Sequence, residues 1–214
     1  MTGKVNGPIL VCFAVKEEAA PFRHKLPAGV ETLVTGMGAA AAERAVKTKL
    51  AEHAWSLVLT CGFAGGLNPA LRPETVVFEA DADFPLRQAL LDTGAVPARF
   101  HCADRVAVTA AEKTALRTST GADVVEMESA IIRRLCRERG LSSATVRVIS
   151  DAAYEELPLD FNALLHADGT LHGGKLARAI LRRPWKIPAL IALGSRTQSA
   201  AARLAAMLRV VLEG

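Results

Sequence analysis

The alternation of short apolar runs with helix-patterned stretches limits what this chain can fold into more than any other feature. "PILVCFAV" (8–15), "ETLVTG" (31–36), "SLVLTC" (56–61), "TVVFEA" (75–80), "RVAVT" (105–109), "DVVEM" (123–127) and "ATVRVIS" (144–150) each have the length of a strand. Between them, "AAAAERAVKTKLAEHA" and "ESAIIRRLCRERG" carry helical spacing, another helix-like stretch starts at Glu17, and a glycine-rich loop is expected after "SLVLTC". Strands separated by helices imply crossover connections, and so an α/β fold whose mostly parallel sheet is covered by helices on both faces. With 214 residues, half of them apolar, the chain is expected to form a single domain. Within it, residues 1–165 form the expected catalytic unit, and residues 166–214 a basic helical extension packed on the same domain.

Polar residues gather where the strands end. Glu17 and Glu18 follow the first run, Gly36 and Gly38 the second, "CGFAGG" the third, Glu126 and Glu128 close the sixth, and Ser150 and Asp151 the seventh. In open α/β sheets ligands bind outside the carboxyl ends of the strands. Acids there also complement helix dipoles, and glycines allow tight turns, so each feature alone has a structural explanation. Five strand ends contributing to one rim point to a site.

"VVEMESAII" sharpens this expectation. Side chains two apart in an extended stretch point the same way, so Glu126 and Glu128 can be aimed into one cavity, whereas on a helix they would diverge. "TGMGAAAAE" formally matches the dinucleotide-binding G-x-G-x-x-A, but that motif wants an acid about twenty residues further on, where this chain has Cys61. Carboxylates for acid and base work, with glycines for close backbone approach, fit the rim better.

In order, "VTGMGAAAAERAV", "LTCGFAGGLNPAL", "VVEMESAII" and "VRVISDAAYEE" resemble the nucleoside phosphorylase and nucleosidase family that includes the methylthioadenosine/S-adenosylhomocysteine nucleosidases. The tail "HADGTLHGGKLARAILRRPWKIPALIAL" is similar to the ending of the hopanoid-associated branch, whose members act on adenosylhopane. The resemblance implies release of adenine from a purine nucleoside, by hydrolysis or by phosphorolysis. It implies that Glu128 accepts hydrogen bonds from the ribose 2′ and 3′ hydroxyls, that Met127 packs against the sugar, and that Glu126 is a further candidate contact. Asp151 corresponds to the acid that protonates the purine at N7, with Ser150 orienting it. Glu18 corresponds to the glutamate that takes a proton from water, Glu17 being the neighbouring candidate. Gly65 and Ala64 are expected to approach the substrate, and backbone groups near Val108 and Thr109 to contact the base. The chemistry stands without the family: a purine anion leaves poorly, so the bond breaks only with a proton donor at the base and stabilisation of an oxocarbenium-like sugar. The rival is a nucleoside-binding, membrane-associated protein without chemistry, against which the joint presence of Glu18, Glu128 and Asp151 argues.

A phosphorylase must hold a phosphate dianion, for which arginines are suited. Two acids sit at the first strand end, and no arginine follows Gly36 until Arg44, which favours water over phosphate as acceptor. Lys16, Arg105 and Arg147 are the candidates that keep phosphate open as a co-substrate. The short region from Glu79 to Asp104 suggests a pocket open toward the 5′ side of the nucleoside. No other cofactor and no metal is expected, since neither the five histidines, His166 and His172 among them, nor the four cysteines show ligand spacing.

The basic excess belongs to the tail. Between Asp168 and Glu213 lie eight Lys or Arg residues and no acid, and Lys175, Arg178 and Arg182 share one helical face. That helix is expected either to pack on the domain or at a homodimer interface, or to touch an anionic membrane surface through residues 175–186. Nucleic acid is not an expected partner. Four scattered cysteines suit reduced thiols in a cytoplasmic protein, and the N-terminal apolar run is too short to span a bilayer.

Overall fold

The computed structural model describes residues 7–164 and 172–213. The elements run β1 (Ile9–Phe13), α1 (Lys16–Arg23), β2 (Val30–Val34), α2 (Ala39–Leu50), β3 (Leu57–Gly66), β4 (Val76–Ala80), α3 (Arg87–Asp92), β5 (Val96–Pro97) and β6 (Phe100–Cys102). They continue with α4 (Ala110–Thr120), β7 (Val124–Glu126), α5 (Ser129–Arg137), β8 (Ser142–Asp151), α6 (Gly173–Arg182) and α7 (Ile187–Glu213). The main sheet has the order β2-β1-β3-β8-β4-β5. Its first four strands are parallel, and β4 is antiparallel to β8. β7 pairs antiparallel with the end of β3, and β6 lies parallel beside β7. The expected α/β class with a mostly parallel, helix-covered sheet is borne out.

Strand periodicity sorts the two cores. Ile9, Val11 and Phe13 of β1 face one way, with Leu57 and Leu59 of β3 and Val146 and Val148 of β8, onto α1 and α7. Leu10, Cys12 and Val58 face the other way, onto Val46 of α2 and Ile132 and Leu135 of α5. The C-terminal half of α7 buries Ala200, Leu204, Ala205, Leu208 and Val211, one helical stripe, in the first core. By contrast α6 buries none of its residues. The expected boundary at 165/166, like His166, lies outside the described residues.

Two local expectations are corrected. "RVAVT" is an irregular segment, because the Val106 backbone pairs with the Asn162 side chain through both N–H (2.8 Å) and C=O (3.0 Å). The glycine-rich stretch after "SLVLTC" is not a loop: β3 continues through Gly62 to Gly66 beside β8, with a register shift between Ala64 and Gly65. Its glycines serve close approach. A Cβ on Gly62, where φ is 137°, would stand 2.6 Å from the Glu18 carboxylate, and one on Gly66 would stand 3.0 Å from the Asp151 carbonyl oxygen.

Candidate active site

A cavity of about 470 Å³ opens at the ends of β1, β3, β7 and β8. Glu17, Glu18, Glu126, Glu128 and Asp151 line it, together with two cations, Arg105 and Arg147.

Glu18 enters from the first turn of α1 and is buried. One carboxylate oxygen accepts the N–H groups of Ala14 (2.9 Å) and Val15 (3.2 Å), the other that of Phe63 (2.8 Å). Burial pushes its pKa up to about 7, against the opposing influence of Arg147 and these N–H donors. That lies near the range at which a carboxylate serves best as a general base in neutral solution. Glu17, beside it, is exposed at the rim.

Glu126 and Glu128 do converge, and they converge on Arg147. Val146 and Val148 of β8 face the first core, so Arg147 between them points to the opposite side, where the β7–α5 junction lies. One guanidinium nitrogen, Nη2, reaches Glu126 (2.7 Å), Glu128 (3.1 Å) and the Thr60 hydroxyl (3.2 Å). Burial works against the arginine charge, but Glu126, Glu128 and Glu18 outweigh it and raise the pKa further. Glu126 also accepts the N–H groups of Glu128 (2.9 Å) and Ser129 (2.8 Å) and the Ser129 hydroxyl (2.6 Å). Its carboxylate is thereby tied to the start of α5. Glu128 has lighter commitments: among the described residues it accepts, besides Arg147, the Gly38 N–H (2.8 Å). Burial raises its pKa, opposed by Arg147. The Gly36–Gly38 loop thus offers an N–H to a carboxylate of its own chain, which argues further against a dinucleotide phosphate there.

Asp151 ends β8. Its Oδ1 accepts the Ser150 hydroxyl (2.5 Å), and its Oδ2 pairs with the ammonium of Lys113, which comes from α4. Lys113 is wholly buried and donates also to the carbonyls of Ala152 and Glu155, 2.8 Å each. Nothing in the local sequence of α4 announces this lysine, whose partner is 38 residues away. Arg147 left a clearer trace: a cation between two valines in a central strand demands buried partners.

Met127, Gly65, Ala64 and Ser150 line the cavity as expected positions do, whereas Val108 and Thr109 do not. Those two are consumed in capping α4. The N–H groups of both donate to Glu112, and the Thr109 hydroxyl accepts the Glu112 N–H (3.1 Å). The segment reaches the cavity slightly earlier, through Arg105, Val106 and Ala107. His172 caps α6, accepting the Lys175 N–H (3.3 Å). Lys16 is exposed and does not line the cavity, and Arg44 is exposed on α2. Among the described residues, no group of three or more His, Cys, Asp or Glu is placed to hold a metal ion.

Residues 77–182 match the family model described as the phosphorylase superfamily. Among solved structures, the 5′-methylthioadenosine/S-adenosylhomocysteine nucleosidase of Helicobacter pylori is similar with a TM-score of 0.72 at 14% identity, over 97% of this chain and 98% of that one. The futalosine hydrolase of the same organism gives 0.70 at 15%, over 97% of each chain. The fold is shared with these nucleosidase and hydrolase structures. The Neisseria meningitidis methylthioadenosine/S-adenosylhomocysteine nucleosidase, in complex with methylthio-immucillin-A, gives 0.69 at 19%, over 96% and 98%. No curated protein sequence matches the chain. In this fold the cavity sits where strands end, and its acids lie at three of those ends, those of β1, β7 and β8.

Proposed function

We infer that the protein is an N-glycosidase that releases adenine from a 5′-substituted adenosine, with water as the acceptor. The observation that carries this reading is Glu18: a buried carboxylate facing the cavity, held by three backbone N–H groups and, among the described residues, by no ion pair, with burial pushing its pKa up to about 7. Glu18 takes the proton of the attacking water, Glu128 receives the ribose hydroxyls, Met127 packs against the sugar, and Asp151 serves the purine N7 with Ser150 holding its carboxyl. Glu126 acts through Arg147 and the start of α5, keeping Glu128 in place. Phosphate finds no uncommitted cation among the lining residues: Arg147 is bound to two glutamates, and Arg105 pairs with Glu112. The nucleosidase and hydrolase names of the similar structures agree with water as acceptor.

Apolar side chains in the cavity lining support an apolar 5′ group. Leu176 and Ile180 of α6 and Leu190 and Leu193 of α7 line the cavity. A triterpenoid fits this lining, and the tail resemblance makes adenosylhopane the substrate of choice. On the same α6–α7 segment Leu181 (81%), Trp185 (70%) and Ile191 (67%) are exposed, and the segment carries Lys175, Arg178, Arg182, Arg183 and Lys186. Such a surface suits peripheral contact with an anionic membrane from the cytoplasmic side. Among the described residues no helix is long and apolar enough to cross one. Assembly as a homodimer is part of the same reading and rests on the family resemblance alone.

Incubation with adenosylhopane and with 5′-methylthioadenosine, each with and without phosphate, tests the reading. Adenine with a free ribosyl product in both buffers is expected. A ribosyl-1-phosphate product formed only with phosphate would reverse the acceptor, and no adenine from either nucleoside would sink the activity.

A further inference from the structure

Both carboxylate oxygens of Asp151 are hydrogen-bond acceptors: Oδ1 faces the Ser150 hydroxyl and Oδ2 the Lys113 ammonium. The N-glycosidase reading, on which this inference rests, asks Asp151 to deliver a proton to a purine at every turnover, and that proton has to be resupplied. Lys113 is the nearest source. It is wholly buried and does not line the cavity, so it cannot touch a nucleoside and can act only through Asp151. Its other two donors are spent on the Ala152 and Glu155 carbonyls, in the turn that follows β8. The charged groups around it are few: Asp151, and the Glu155 carboxylate, which is itself bound to Arg196 of α7 (2.7 Å) and to the Ala152 N–H (3.1 Å). A buried ion pair is a poor device for stability alone, because desolvation of the two charges offsets much of their attraction.

We propose that Lys113 is the positioning residue that loads Asp151 with the proton delivered to the leaving purine. The proton begins on Nζ and moves to the Asp151 carboxylate. As the C1′–N9 bond breaks and its electron pair passes into the purine, the carboxyl gives that proton to N7. The pair is left as a neutral amine beside a carboxylate. Water forms the new C1′–O bond and yields its proton to Glu18; that proton returns to solvent, and Lys113 takes one up, so protons balance over the cycle.

The test compares adenine release by the wild type, Lys113→Ala and Lys113→Arg, using adenosine and a 5′-alkylthioadenosine as probes. Lys113→Ala is expected to lose on the order of 10² in kcat, with KM changed less than about threefold. Added methylammonium should restore at least about tenfold of that loss, and tetramethylammonium, a cation without N–H, none of it. Lys113→Arg keeps the charge and the donors, and so the fold, but does not give up a proton, so its kcat should fall as far as that of the alanine variant. This variant decides the matter if Lys113→Ala does not fold. Near-normal kcat in either folded variant, a loss confined to KM, no restoration by methylammonium, or equal restoration by both cations would overturn the proposal. A wild type that releases no adenine from any probe would instead overturn the N-glycosidase reading, and is told apart because it appears before any substitution.

Discussion

The two ends of the cavity hold their acids by different means. Glu18 is bound by three backbone N–H groups and, among the described residues, by no ion pair, whereas Asp151 is bound by the Ser150 hydroxyl and a buried lysine. Backbone donors are fixed dipoles: they orient a carboxylate while carrying no full charge, so burial still dominates and lifts Glu18 to about 7. A lysine partner carries a proton that can move. Under the proposed function the contrast separates the acid that takes a proton from the one that passes one on, since separated environments are what assign acid and base in a shared site.

The comparison can be broken at either end. The largest effect is expected for Glu18→Gln, on the order of 10³ in kcat, at every phosphate concentration. Turnover that survives the substitution when phosphate is supplied would reassign Glu18 and the acceptor together. Next comes the effect of pH on stability. Since the folded state holds the Glu18 proton more tightly, with a pKa of about 7 against the ordinary 4.5 of a glutamate, its contribution is complete below about 4.5 and lost as pH rises through about 7. Relative to Glu18→Gln, the wild type should therefore lose about 3 kcal/mol between pH 4.5 and 8, read from urea midpoints. A difference that stays flat over that range would mean that Glu18 is not held as a buried acid. Asp151→Asn should lower adenine release by on the order of 10² while the protein stays folded, because an amide cannot carry the proton. A folded variant with near-normal kcat would end the role of Asp151. The smallest effect belongs to Ser150→Ala, about 1 kcal/mol and so about fivefold in kcat, for the loss of one hydrogen bond to Asp151. A loss as large as that of Asp151→Asn would show that Ser150 does more than orient.

Much of this was legible in the chain itself. Apolar runs of strand length between helical patterns give the α/β class, because periods of two and of 3.6 residues are local properties that survive without any knowledge of partners. The spacing of Glu126 and Glu128 foretells that both side chains turn the same way, and they do meet at one guanidinium. The same logic misreads "RVAVT", where an Asn162 side chain from more than fifty residues away takes the backbone groups that a neighbouring strand would have used. It also misreads the glycines of β3 as a loop, since only the packed Glu18 carboxylate shows why a Cβ is excluded at Gly62.

The sequence by itself determined the periodicity of the elements, the rim of acids at the strand ends and the basic face of α6, all features written within a few residues of one another. Tertiary structure alone decided the partners of those acids. Arg147 reaches Glu126 and Glu128 across β8 and β7, Lys113 reaches Asp151 from α4, and the α6 and α7 side chains close over the cavity. The physical reason is that charge and burial act through space: whether a carboxylate is lifted to about 7 or held by a lysine depends on groups brought near it by the fold, at separations no local pattern records.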